Sequence, residues 1–236
     1  PVPMDLARHG SPARRAALAL YRAFDEAYVR VLGRPAFQKL NARLLHTVLR
    51  ARGYDNLAGH AQSGEAHFLD RVARLRPRLC VDVGANVGQY SGELLARTAA
   101  EVHAFEPMPL SFRRLGGLRE RHGERFTAHP YALGDADGQA RIRYGAEDSQ
   151  LATLSPEVAH VDYVGRSNVN ETTVEVRTLD GLVAGGELPL AGREVDLLKI
   201  DTEGYEYQVL LGARETLRAA RPKLVQLEFN WHQLFC

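Results

Sequence analysis

Cysteine is nearly missing from this chain. Cys80 and Cys236 are its two copies, and Cys80 lies in an apolar run expected to be a buried strand, so a disulfide framework is excluded as a source of stability. A reducing, cytoplasmic setting is the expectation. Long apolar runs are missing too. None approaches the roughly 20 residues that span a bilayer, and the amino terminus shows no apolar segment followed by a small-residue cleavage site. Charge excess is also lacking: 30 basic and 29 acidic side chains leave a formal net charge of +1, which gives no broad attraction to phosphate backbones or anionic lipid. There is no N/D-P-P-Y base-clamping motif, so nucleic acid is not the expected partner. Lysine is sparse, occurring only at Lys39, Lys199 and Lys223. What is plentiful is apolar sequence, 45% of 236 residues, enough for one sizeable core plus an appendage.

The chain reads in two parts. Over 1–64, the stretch Pro12 to Arg52 is rich in Ala, Leu and Arg, with Leu18, Tyr21, Val29, Leu32, Leu44, Leu45 and Val48 at helical spacing. It is expected to be a helical packing extension or homodimer surface rather than a substrate lid. Gly53, Gly59 and Gly64 mark a linker. Over 65–236, a helix from Glu65 to Leu75 leads into short apolar runs that alternate with amphipathic stretches, the pattern of a parallel sheet with crossover helices. Strands are expected at Leu79–Val83, Glu101–Phe105, Phe126–Ala132, Val195–Ile200 and Lys223–Phe229. Ala140–Tyr144 and Thr173–Thr178 alternate like a hairpin or edge addition. The polar stretch Ser149–Asn170 is expected to be an irregular active-site loop.

The first strand ends in a tight turn, Val81-Asp82-Val83-Gly84-Ala85-Asn86-Val87-Gly88. Glycines there let the backbone pass close to a nucleoside at the carboxyl edge of the sheet. The next strand ends in Glu106, about 20 residues on, where a carboxylate can accept hydrogen bonds from ribose hydroxyls. The dinucleotide fingerprint G-x-G-x-x-G is missing, since Ala85, Asn86 and Val87 separate the two glycines. Asp82, two positions before Gly84, would repel a pyrophosphate and suits a cationic amino acid tail. No tyrosine is followed four residues later by lysine, as a short-chain dehydrogenase requires. A nicotinamide-dependent oxidoreductase is therefore the alternative reading, and a non-catalytic cofactor-binding scaffold a second one.

The run Val195 to Gly204 is an apolar strand that turns charged at its carboxyl end. Lys199 and Asp201 share a face of it, and an ion pair of Lys199 with Asp201 or Glu228 is the expected means of burying that lysine. The last strand ends near Glu228, Asn230 and His232, so Asp201, Glu203, Glu228 and His232 are expected to gather. Such a set can act as a general base, orient a hydroxyl or hold a divalent cation, though its spacing matches no strong ligand motif.

Taken in order, VDVGANVGQYS, AFEP, YALGD, TLDGL, LLKIDTEGYEYQVLLGA and LVQLEFNWHQLF resemble the FkbM-type methyltransferases over Gly64 to Phe235. The resemblance implies a Rossmann-like α/β fold of mostly parallel sheet, S-adenosyl-L-methionine as donor, and O-methylation of a sugar, glycolipid or polyketide-type natural product. By position, Asp82, Gly84, Ala85, Asn86 and Gly88 would line the methionine side, Glu106 with Pro107 the ribose, and Ala132, Leu133 and Gly134 the adenine. Asp201 would sit near the methyl group. Glu228 or His232 is the expected base, with Asp201 and Glu203 placing hydroxyl and cofactor and Ser149 to Ser155 folding over them. Family members usually continue past the closing motif, so a carboxyl end cut short is also an expectation.

Overall fold

The computed structural model describes residues 12–51, 64–146, 151–159, 161–190 and 192–228. By internal contacts the chain divides into two units, Pro1–Asp55 and Asn56–Cys236. In the first, helix α1 (Pro12–Leu32) and helix α2 (Gln38–Ala51) are joined by a single turn at Pro35–Phe37. Tyr28 donates its hydroxyl proton to Asn41 Oδ1 at 2.7 Å, and Asn41 Nδ2 donates to the Leu32 carbonyl at 2.8 Å, which caps the end of α1. No described helix is long and apolar enough to cross a membrane.

The second unit is built on a five-stranded parallel sheet. Helix α3 (Glu65–Arg74) precedes strand β1 (Leu79–Val83). Helix α4 (Gln89–Arg97), β2 (Glu101–Phe105), α5 (Pro109–His122) and β3 (Phe126–His129) follow. A smaller sheet comes next, from β4 (Ala132–Leu133), β5 (Gly138–Tyr144) and β6 (Asn170–Arg177), with the short helices α6 (Pro156–Ala159) and α7 (Asp162–Ser167) between β5 and β6. Helix α8 (Leu179–Ala184), β7 (Leu197–Ile200), α9 (Glu206–Leu211), α10 (Arg214–Ala220) and β8 (Leu224–Leu227) complete the unit. The large sheet has the order β3-β2-β1-β7-β8. The chain winds outward from β1 through β3 and then returns to the other side of β1, so a crevice opens at the carboxyl ends of β1 and β7.

Both faces of that sheet are covered, which is why its inner strands are almost continuously buried and mostly apolar. Leu79, Val81 and Val83 point into one core with Leu179, Leu182, Leu198, Ile200 and Val209, whereas Cys80 points into the other with Leu69, Leu94, Leu115 and Phe126. The Cys80 thiol is free and buried, and burial pushes it up to about 12. Edge strand β8 alternates between half-buried and exposed residues.

Three expectations change. Phe126–Ala132 is not one strand: β3 stops at His129, Pro130 can donate nothing to a ladder, and Ala132–Leu133 pairs with β6 in the second sheet. Residues 151–170 are not irregular, since they carry α6, α7 and an antiparallel bridge from Thr153 to Arg143. Strand β7 begins at Leu197, two residues later than expected, and the Asp196 side chain before it holds the start of β1, its Oδ2 accepting from the amides of Arg78 and Leu79. The expected hairpin is present, with β5 and β6 antiparallel from Gly138↔Val176 to Tyr144↔Asn170.

Candidate functional site

Strand β1 delivers its chain into the bend at Gly84, whose φ is +80°. The amides of Gly84 and Ala85 both donate to the Phe105 carbonyl at 3.0 Å, which ties the bend to β2. On its other side Gly84 meets the loop after β7 so closely that a β-carbon would lie 1.8 Å from the Asp201 carbonyl oxygen. Gly88, φ +81°, serves packing instead: a β-carbon there would strike Leu115 and Leu118.

Glu106 follows β2 and is 5% exposed. Its Oε2 accepts from the Asn86 amide and its Oε1 from the Met108 amide, both at 2.8 Å. Asn86 adopts φ +48°, and its Oδ1 accepts from Ser111 Oγ at 3.0 Å. The carboxyl is thus braced from both flanking loops with its second lone pairs free. Burial pushes it up to about 7, against the pull of the two amides.

The loop after β7 supplies the third wall. Glu206 Oε1 accepts from the Thr202 amide at 2.8 Å, and Glu203 sits at φ +53° with its carbonyl accepting from Thr153 Oγ1 at 2.7 Å. A non-glycine residue held in that region is strained backbone that its surroundings must enforce. Lys199, buried in β7, places Nζ 2.9 Å from Asp201 Oδ2, 3.5 Å from Asp82 Oδ1 and 4.9 Å from the centroid of the Tyr90 ring. Burial would discharge this lysine, but Asp82 and Asp201 outweigh it and raise its affinity for the proton. Asp201, Glu203 and Glu228 bring one oxygen each within 4.8 Å of one another. Burial pushes Glu228 up to about 9, helped by its hydrogen bond to Asp201 and by that group's charge. Burial would raise Asp201 as well, but the Lys199 ammonium and the Glu228 hydrogen bond hold it below the usual carboxylate range. Within the pair Glu228 is therefore the weaker acid and Asp201 the stronger.

The cleft between these walls has about 570 Å³ of empty space including its mouth. Of the residues expected at the site, Gly84, Asn86, Glu106, Pro107, Ala132, Leu133, Asp201 and Glu203 line it together. Asp82, Ala85, Gly88 and Gly134 do not. Asp82 is buried behind the bend, where Oδ2 accepts from Ser91 Oγ at 2.6 Å. Ala85 joins the core against α4 and α5. Gly134 donates its amide to the Arg177 carbonyl beneath Tyr205. Glu228 lies behind Asp201, and His232 falls outside the described residues. Sequence reasoning missed Met108, Ile142, Thr202 and Tyr205. Of the expected covering segment, 149–150 lie outside the described residues, while Ala152 and Leu154 do face the cleft.

The match to known proteins is decided here. Residues 82–235 match the family model for the methyltransferase FkbM domain. The chain belongs to the FkbM methyltransferase family. The hexuronic acid methyltransferase AglP of Haloferax volcanii is 30% identical over 149 residues, which take in 62% of this chain and 54% of that protein. The 31-O-demethyl-FK506 methyltransferase FkbM of Streptomyces tacrolimicus is 27% identical over 207 residues, 74% of this chain and 78% of that one. The matched stretch is thus about half the length of the first of these relatives. A crystal structure of PRMT6 with SAH aligns with a TM-score of 0.43 at 12% identity, over 76% of this chain and 45% of the other. The residues that line the cleft are of kinds that would fit an S-adenosylmethionine donor. Glu106 would offer its remaining lone pairs to ribose hydroxyls, and an apolar wall of Ala132, Leu133 and Ile142 would suit a purine face.

Proposed function

We propose that this FkbM domain methylates a hydroxyl of a sugar, glycolipid or polyketide-type natural product. The observation that carries the reading is the Asp201 side chain lining the cleft beside the glycine bend, with the Lys199 ammonium 2.9 Å from its Oδ2. One relative is named for a hexuronic acid and another for 31-O-demethyl-FK506, which supports an oxygen acceptor on a small molecule.

When bound, the donor supplies a methyl group already activated on a positively charged sulfur. The protein's own work is then alignment and proton removal. Glu106 holds the ribose and the bend receives the amino acid tail. Asp201 accepts the acceptor's hydroxyl proton, Glu228 keeps that carboxylate aimed by donating to it, and Glu203 helps place the hydroxyl. In this reading the base is Asp201, where Glu228 or His232 was expected.

The test is direct. Purified protein with S-adenosylmethionine and a panel of hydroxylated sugars and macrocyclic alcohols, read by mass spectrometry, should show gain of one methyl on an acceptor oxygen. Calorimetric binding of S-adenosylhomocysteine with no transfer to any acceptor would support the scaffold reading. Binding of NAD in its place would support the oxidoreductase.

A further inference from the structure

Between the acid at the end of β1 and the acid after β7 stands a single buried cation. Lys199 is 6% exposed, and its Nζ lies 3.5 Å from Asp82 Oδ1 and 2.9 Å from Asp201 Oδ2. The two carboxylates differ in what else they meet. The Asp82 side chain is 1% exposed: Oδ2 accepts from Ser91 Oγ, and Oδ1, with no hydrogen-bond partner, lies 3.5 Å from the ammonium. The Asp201 side chain is 25% exposed and opens into the cleft. An acid sealed behind the bend cannot reach a ligand in front of it.

We propose that Lys199 is a positioning residue of the donor site, its ammonium clamping the Asp201 carboxylate beside the glycine bend so that Asp201, and not Asp82, meets the positive charge of the donor. The inference rests on the methyl-donor reading above. A structural ion pair needs one carboxylate, whereas this lysine spans two, one within β1 and one in the loop after β7. Its third neighbour fixes its height: Nζ sits 4.9 Å from the Tyr90 ring centroid, and the Tyr90 hydroxyl donates to Gln226 Oε1 on β8 at 2.6 Å. The lysine is thereby held from β1, α4, β8 and the loop after β7.

The charged groups around it set the sign of the effect. Asp82, Asp201 and Glu228 act directly on Lys199, Glu106 interacts with it across the cleft, and Glu203 lies within the acid trio. Burial and Asp201 favour the neutral form of Glu228. Among the described residues Lys199 is the cation set between Asp82 and Asp201, and of those two carboxylates Asp201 is the one that lines the cleft. If Lys199 is removed, burial raises Asp201 into the working pH range, and the cleft loses that charge as pH falls.

The experiment measures, by calorimetry on the full chain from pH 5 to 8.5, the ratio of affinities for S-adenosylmethionine and S-adenosylhomocysteine. The two ligands differ in the sulfur charge, so ribose and tail effects cancel. For the wild type the ratio should hold steady with pH. For Lys199→Met it should fall by about tenfold near pH 6 and recover as pH rises, the equivalent of one pKa unit or more, and Lys199→Arg should restore the steady profile. A Lys199→Met ratio that tracks the wild type while only the melting temperature drops would overturn the proposal, leaving Lys199 a structural ion pair. Wild type that binds neither ligand would overturn the donor reading itself, and the clamp would fall with it. Should Lys199→Met not fold, carboxyl carbon NMR titration of the wild type decides. Asp201 titrating below the usual carboxylate range, and Glu228 above it, supports the clamp, and the reverse order overturns it.

Discussion

Gly84 and the Asp201 carbonyl are in contact so tight that a β-carbon on Gly84 would lie 1.8 Å from that oxygen. The bend after β1 and the loop after β7 therefore pack directly on each other.

Gly84→Ala should accordingly be among the most damaging single-methyl changes in the chain. It adds strain at φ +80° to a backbone clash, and a loss of about 3 kcal/mol or more is expected. Gly186→Ala is the matched control: φ is +74° but nothing lies within 4 Å, so about 1 kcal/mol is expected. Urea unfolding of both variants checks the contrast, and equal losses would refute the contact.

Donor binding should weaken as pH falls through about 7. Glu106 is pushed up to about 7 by burial, and only its ionised form can accept from both ribose hydroxyls without surrendering an amide contact. Binding therefore drives proton release, and affinity is lost as the carboxyl takes its proton back. Glu106→Gln should bind S-adenosylhomocysteine at least about tenfold more weakly, the equivalent of one pKa unit, and with this pH dependence abolished. Calorimetry in two buffers of different ionisation enthalpy would count the proton.

Glu228→Gln should retain turnover within about fivefold, because glutamine can still donate to Asp201 and the glutamate holds its proton up to about 9. Glu228→Ala leaves Asp201 without that donor and should cost about 10- to 100-fold. A loss of a thousandfold in the glutamine variant would return the base role to Glu228.

Acid should destabilise the fold through two histidines far from Asp201. His103 Nδ1 lies 3.2 Å from His129 Nε2, and His103 Nε2 lies 2.9 Å from Glu101 Oε1, a chain that works with one proton on each ring. Burial lowers both, His129 to about 4. Because the folded values lie below the unfolded one near 6.5, the stabilisation is present above that pH. It is lost as pH falls toward 4, by about 3 kcal/mol for His129 alone. Thermal melts of His129→Gln should show a shallower decline over pH 6.5 to 4.

Much of the site was legible because it is local. An apolar strand closed by Gly84 and an acid closing the next strand are readable as strings, since each strand presents its last residues at the same sheet edge. Asp201 was legible for the same reason. Pro130 could have warned that Phe126–Ala132 breaks, because a missing amide ends a ladder. Met108, Ile142, Thr202 and Tyr205 were not legible, since they reach the cleft from separate loops and from the second sheet. The sequence also made Gly88 look like a ligand glycine, when the side chains it spares are Leu115 and Leu118, a helix away.

The sequence by itself determined the alternation of apolar runs and amphipathic helices, the bend at Gly84, and the acids that end β1, β2 and β7. Those follow from hydrophobic periodicity and turn chemistry, which act over a few residues. The tertiary structure alone decided which acid lines the cleft and which is buried behind the bend. Asp82 and Asp201 have the same side chain, and only the position of the Lys199 ammonium and the depth of burial separate their roles.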